Sequence, residues 1–399
     1  MKKEFDYNNI EECLDCYKYE DVLVAIEKGI LNINQKYYLH QTNDIRMLKL
    51  LIEKGVHLNK VDKNGASALF GAHTEKTKLL LSAGIDINIK DKYGKNALWY
   101  SAWYPAKELI KNGINLNERD KHHETVLWES PPEVAKWLLD KGIDTTVKNK
   151  KGQTALFSVG PYDLEKAQLL VLNGADINVR DKKGNNVLFK DEDDYWENSL
   201  CLATSEGEDS VDVFFINEGI DIYFVNEKKE NPLFYGNFTS INMLLDKGVN
   251  AFQENTDYQY PLFKHANKFM AVYANGMLDN EKYGSEFFNE EHEVNKFIEL
   301  LECFENKGFS LFTENSRRQN IVDIIILSGN LPTLADKFIP QKIVDFFINK
   351  GLYDDVKNRE DVVFETNHVD AQFRIAFENL VLRSTNFNAV NISSRKSRI

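Results

Sequence analysis

Cysteine, proline and long apolar runs are scarce in this 399-residue chain, and each scarcity removes a class of protein. The four cysteines, Cys13, Cys16, Cys201 and Cys303, are too few and too scattered for a disulfide framework, which points to a reducing compartment. No segment approaches the ~18 uninterrupted apolar residues of a membrane span, and the opening MKKEFDYNNIEECLDC has no apolar stretch behind its lysines. The expectation is a cytoplasmic protein with neither secretory signal nor membrane partner. Also missing are a Gly-rich phosphate loop, an H-E-x-x-H pair and a G-x-S-x-G elbow. No catalytic residue, metal or cofactor is therefore assigned, and the chain reads as a non-enzyme.

A hydrophobic fraction of 43% and a charged fraction of 28% suit a folded, soluble chain. Its formal charge of -13 opposes nucleic-acid binding, and the acidity is regional. Between Asp191 and Ser310 stand 25 acidic and 8 basic side chains, a field that would steer a basic protein partner.

The strongest signal is internal repetition. A glycine closes each apolar, helix-like run at Gly29, Gly55, Gly84, Gly113, Gly142, Gly174, Gly219, Gly248, Gly308 and Gly351, and the intervals across Gly55 to Gly142 are 29 residues each. Fourteen residues later comes Leu69, Leu98, Leu127, Leu156, Leu188, Leu233 or Leu262, then an aromatic: Phe70, Trp99, Trp128, Phe157, Phe189, Phe234 or Phe263. Three residues before the glycine stand Ile52, Leu81, Ile110, Leu139, Val171, Ile216 and Leu245. All three columns are expected to lie in the core. Ser67, Asn96, Thr125, Thr154, Asn186, Asn231 and Asn320 precede the Leu column, where a short polar side chain caps a helix start. Pro232 and Pro261 suit first helical positions, and the glycines suit left-handed helix ends beside Lys54, Lys141, Lys247, Lys307 and Lys350.

Stretches such as DKKGNNVLF and LLVLNGADINVR echo D-x-x-G-x-T-P-L-H-x-A and L-L-x-x-G-A-D-I-N, so the chain resembles ankyrin-repeat proteins from about Asp21 to Phe263. The resemblance implies an all-α, ankyrin-like α-solenoid of about nine or ten helix-turn-helix repeats with hairpin loops, and a surface that binds protein. Against the usual repeat of about 33 residues, these 29-residue units lose about one turn around the first helix. The family's Thr-Pro-Leu-His also becomes SALF, NALW, TALF or NPLF, replacing the histidine with an aromatic plug.

The expected organisation is a capping repeat over 1–29, ankyrin-like repeats over 30–263 with an acidic insertion near 190–211, and longer degenerate repeats over 264–365 with an insertion near 264–293. A capping helix and tail over 366–399 close the chain. Cys13 and Cys16 form half of a metal motif with no second half, and read as packing. Partner contacts are assigned to Tyr93, which the neighbouring repeats do not share, to Tyr100 and Trp103, since one helix cannot bury every ring of LWYSAWYP, and to His122 and His123 at a hairpin tip. Asp191, Glu192, Asp193 and Asp194, with Tyr195 and Trp196 beside them, complete the set, aromatics beside charges being common binding anchors. A lysine- and asparagine-rich, proline-poor composition points to a bacterial source. Among bacterial ankyrin proteins the acidic field suits an immunity protein that neutralises a basic toxin, with a host-directed effector or an enzyme hidden in the C-terminal third as alternatives. Oligomeric state is not legible.

Overall fold

A computed structural model describes residues 18–160, 163–189, 210–283, 289–328 and 340–351, and every described element is helix, turn or loop, with no strand among them. The helices are α1 (Tyr19–Glu27), α2 (Tyr38–Gln41), α3 (Ile45–Glu53), α4 (Thr74–Ser82), α5 (Trp103–Lys111), α6 (Pro132–Asp140), α7 (Leu164–Leu172), α8 (Val211–Asn217), α9 (Phe238–Asp246), α10 (Pro261–Tyr283), α11 (Glu290–Asn306), α12 (Ile321–Ser328) and α13 (Gln341–Asn349). The chain divides into two compact units, the first comprising 1–159 with 165–176 and the second 160–164 with 177–399. Each has the ankyrin-like plan of a first element, a second helix and a long turn.

In the first unit the 29-residue spacing acts on one element. The second helices α3, α4, α5 and α6 keep nine residues each. The first helix instead shrinks to a single 3-10 turn, at Ala97–Tyr100, Val126–Trp128 and Ala155–Ser158. The sequence expectation of a helix beginning at the polar column therefore resolves into one tight turn, because about four missing residues amount to one α-helical turn. Asn96 Oδ1 accepts from Leu98 N at 3.0 Å, but Thr125 and Thr154 make no such cap and their buried hydroxyls find no partner.

The second unit spends its longer intervals on helix. In place of the 3-10 turn of Pro232–Phe234, the next repeat runs unbroken from Pro261 through the 23 residues of α10, followed by the 17 residues of α11. The expected insertion near 264–293 is thus largely a helical pair, in which Phe269 stacks on Phe297 at 4.3 Å and the Tyr273 hydroxyl donates to Glu290 at 2.5 Å.

The core columns need one correction. The Leu column is buried throughout, and so is Val322. The column three residues before the glycine is not: Ile52, Leu81, Ile110 and Val171 are only partly covered, while Leu139, Ile216 and Leu245 are buried. The residues one place earlier fill the core instead, as Leu51, Leu80, Leu109, Leu138, Leu170 and Phe215, each 0% exposed. A helical step of 100° separates the two columns, and the earlier one faces the neighbouring repeat. The aromatic column also splits. Phe70, Trp99 and Phe157 are half-buried, whereas Trp128, Phe189, Phe234 and Phe263 are buried. The helix-ending glycines behave as the sequence requires, with φ between 68° and 91° from Gly29 to Gly351.

Candidate protein-interaction surface

The hairpin-like connections are asparagine- or aspartate-centred turns of one design. In each, the first side chain accepts two backbone N–H groups, as Asp91 Oδ1 does from Tyr93 N at 2.8 Å and Lys95 N at 3.0 Å, and Asn255 Oδ1 from Asp257 N and Gln259 N, both at 2.9 Å. The third residue after it takes positive φ. Glycine supplies this at Gly65, Gly94, Gly152 and Gly184, but His123, Lys229, Tyr258 and Arg318 adopt it with full side chains. Turns in adjacent repeats are hydrogen-bonded to one another, Lys92 N to Asn64 O and Lys121 N to Tyr93 O at 2.7 Å, then Lys150 N to His122 O at 2.9 Å. The tips therefore form a rigid ladder whose side chains project outward.

This ladder gathers part of the sequence-predicted site. Tyr93, 52% exposed, occupies one tip under the Lys92 ammonium, 5.0 Å from its ring centre. His122 and His123 are exposed on the next tip. Tyr100, 43% exposed, leans on Phe70 at 5.2 Å and donates its hydroxyl to Asp91 Oδ2 at 2.6 Å, so it belongs to the same turn as Tyr93. Partial burial and the Asp91 carboxylate push that phenol up from its ordinary value, making it a hydrogen-bond donor and not a base. Trp103 is elsewhere: it opens α5, half-buried, 5.3 Å from Trp137 of α6, with the Lys107 ammonium 4.5 Å above its ring. Its contacts are with second helices and not with the tips. Cys13, Cys16, Asp191, Glu192, Asp193, Asp194, Tyr195 and Trp196 lie outside the described residues.

In the second unit the turns enclose a polar cluster that the sequence reading passed over. Glu230, 2% exposed, accepts from the Tyr235 hydroxyl, from Asn255 Nδ2 at 3.1 Å and from Asn226 Nδ2 at 3.5 Å, with the Lys264 ammonium at 3.5 Å. Burial alone would raise its pKa, but the Tyr235 hydroxyl, Lys264 and the two amides outweigh it and hold the carboxyl below the usual range. Beside it His265 is buried and bonds its Nε2 to the Leu233 carbonyl at 2.7 Å, and burial pushes its pKa down to about 4. Asn226 and Tyr235 reach Glu230 from its own repeat and Asn255 and Lys264 from the next, the geometry of a repeat interface. Among the described residues no group of three or more His, Cys, Asp and Glu side chains could hold a metal ion, and no helix is long and apolar enough to cross a membrane.

The sequence reading also missed the exposed aromatics of the second unit, Tyr223, Phe252, Tyr258 and Phe312. For Tyr223, Phe252 and Phe312 the signal was available as a column four residues after the helix-ending glycine, where asparagine gives way to aromatics, whereas Tyr258 stands at a turn tip.

Comparison with known proteins places these observations. The family model of ankyrin repeats matches residues 37–120 in three copies. No curated protein matches the chain. Among solved structures the chain is similar to a complex of a predatory endopeptidase from Bdellovibrio bacteriovorus with an immunity protein, at 25% identity over 39% of this chain and 90% of that one, with a TM-score of 0.34. It is similar also to the ankyrin repeat domain of Bcl-3, of the IκB family, at 18% identity over 42% and 85% of the two chains, with a TM-score of 0.36. Superpositions this loose carry no argument about partners.

Proposed function

Because residues 37–120 are ankyrin repeats, and such repeats serve protein-protein interaction, we propose that this protein is a non-enzymatic recognition module that binds another protein stoichiometrically. The observation that carries the reading is the tip ladder of the first unit. There Tyr93, His122 and His123 stand exposed on adjacent turns fixed by backbone hydrogen bonds, so a partner meets a preorganised row. Aromatic rings on a rigid frame bury large area at small entropic cost. The more specific reading is an immunity protein that holds a basic toxin inactive in the cytoplasm. It is supported by the 25 acidic against 8 basic side chains from Asp191 to Ser310, which would accelerate encounter with a cationic partner.

Affinity purification from the native organism with quantitative mass spectrometry tests this reading. The tagged wild-type chain is expected to retain one basic protein in near-equal amount. A bait carrying Tyr93→Ala, Tyr100→Ala and His122→Ala should lose it, and reversal of Asp191, Glu192, Asp193 and Asp194 to lysine should slow its association. Absence of any stoichiometric protein, or equal retention by all three baits, would refute the proposal.

A further inference from the structure

Four residues after the helix-ending glycine, the later repeats differ from the earlier ones. The earlier repeats place Asn59, Asn88, Asn117, Thr146 and Asn178 there, and the side chains of Asn59, Asn117 and Asn178 accept the backbone N–H of Asp86, Asp144 and Asp221 at 2.7, 2.8 and 2.8 Å. The later repeats of the second unit place Tyr223, Phe252 and Phe312 there, exposed by 67, 48 and 43%. Two residues further on, Val61, Lys90, Arg119, Lys148 and Arg180 of the earlier repeats are answered by Val225, Glu254 and Glu314 in the later ones. One face of the repeat thus changes from polar and cationic to aromatic and anionic.

The three rings occupy equivalent places in successive repeats whose loops are fastened together. The Tyr223 hydroxyl donates to the Lys247 carbonyl at 2.8 Å, which ties its loop to the end of α9, just before Phe252. Phe252 stacks on buried Phe309 at 5.0 Å, three residues before Phe312. The Glu254 carboxylate accepts from Ser316 N at 2.7 Å and Ser316 Oγ at 2.5 Å, which bridges the second and third loops. These rings are therefore exposed to solvent on loops fastened to one another.

We propose that Tyr223, Phe252 and Phe312 are the docking row for a cationic amphipathic helix of a partner protein, an inference that rests on the protein-binding reading above and gives it a surface. An extended peptide adds to a sheet edge, and no strand exists among the described residues to receive one. Helices lie about 10 Å apart, so three repeats span about 20 Å, the length of about 14 helical residues. Apolar side chains on one face of such a helix meet the rings. Lysines or arginines flanking that face meet Glu254 and Glu314, in a stretch whose overall charge is strongly negative.

The test is fluorescence anisotropy on the full chain with three labelled peptides of about 18 residues. One is a Lys/Leu amphipathic helix, one its Glu/Leu twin, and one a Lys/Ser peptide with the charge but no apolar face. The Lys/Leu peptide is expected to bind at least tenfold more tightly than either control. A variant with Tyr223→Asn, Phe252→Asn and Phe312→Asn, the residue most earlier repeats carry at this place, should lose at least tenfold in that affinity while keeping its thermal transition. Should the triple variant not fold, Tyr223→Asn alone, at the most exposed ring, should lose about threefold. Unchanged Lys/Leu affinity in the variant, equal binding of the Glu/Leu twin, or no peptide binding would each overturn the row. So would a dimer seen in sedimentation and dissolved by the triple variant, since the occupant would then be a second copy. If the native partner is retained by the row variant but lost by the Tyr93→Ala, Tyr100→Ala and His122→Ala bait, the binding function stands and the row alone falls.

Discussion

The two units are written in the same repeat and use it differently. In the first, the intervals are short, the leading helix is a 3-10 turn, and the aromatic column is only partly covered at Phe70, Trp99 and Phe157. In the second, the leading element grows to the 23 residues of α10, and Phe189, Phe234 and Phe263 in the same column are buried. The plug's own turn does not decide this, since Trp128 and Phe234 are buried on 3-10 turns as short as those that leave Trp99 and Phe157 half-covered. Cover from neighbouring side chains, as Phe309 gives Phe263, separates a core ring from a surface one.

The largest expected effect breaks or confirms that distinction directly. Phe263→Ala should cost about 3–5 kcal/mol, the range for a fully buried large aromatic. Trp99→Ala, at the equivalent but half-covered place, should cost about 1–2 kcal/mol. Chemical denaturation of both variants measures the pair, and equal losses would erase the contrast between the units.

Acid should also find the second unit first. His265 is neutral and buried with a pKa of about 4, against an ordinary value near 6.5. The unfolded chain therefore binds the proton more readily. Stability is fully present above about pH 6.5 and is lost as pH falls toward 4, by about 3 kcal/mol from this group. Hydrogen exchange across that window should show protection falling around Leu233 and α10 before it falls in α3 to α6. A His265→Gln variant should flatten the dependence, and an unchanged slope would remove His265 from its cause.

The turns offer the same substitution in both units. Asn255 Nδ2 donates to buried Glu230, and Asn149 Nδ2 donates to partly exposed Glu124 at 2.8 Å. Aspartate keeps the turn-forming oxygen in both cases but sets a second carboxylate against the first. Asn255→Asp should cost about 2–3 kcal/mol, because the existing charge is buried, and Asn149→Asp about 1 kcal/mol. Thermal melts at pH 7 would rank them, and a reversed order would mean that Glu230 is less constrained than its four partners imply.

Much of this was legible in the sequence. The glycine ladder fixed the helix ends, the Leu column fixed one side of the core, and Asn96, Asn186 and Asn231 announced caps that they do make. What was not legible depends on contacts between repeats. A column at three residues before the glycine and one at four are both apolar, and only the packed helix shows that Leu80 and Leu109 point inward while Leu81 and Ile110 slant away. The rings of LWYSAWYP are too many for one helix face, yet pattern alone could not divide them between the tip turn, where Tyr100 bonds Asp91, and the second helices, where Trp103 meets Trp137. Tyr223, Phe252 and Phe312 went unread because the loop column that holds them has no fixed chemistry from one unit to the other.

The smallest expected effect is a gain, and it sharpens the comparison at a single atom. At the cap column the asparagines do two things: Asn231 accepts from Leu233 N at 3.2 Å and donates to Asn250 O in the long turn after α9 at 2.7 Å, and Asn96 likewise donates to Asn115 O at 3.2 Å. Thr125 fills the same place with a buried hydroxyl that makes neither bond. Thr125→Asn in the first unit should therefore stabilise by about 1 kcal/mol, by capping Leu127 N and reaching the Asp144 carbonyl, and Asn231→Thr in the second should cost about as much. Because Asn96 shows that a 3-10 repeat has room for the amide, a Thr125→Asn variant that melts lower than wild type would locate the difference between threonine and asparagine repeats in packing volume at this column and not in its hydrogen bonds.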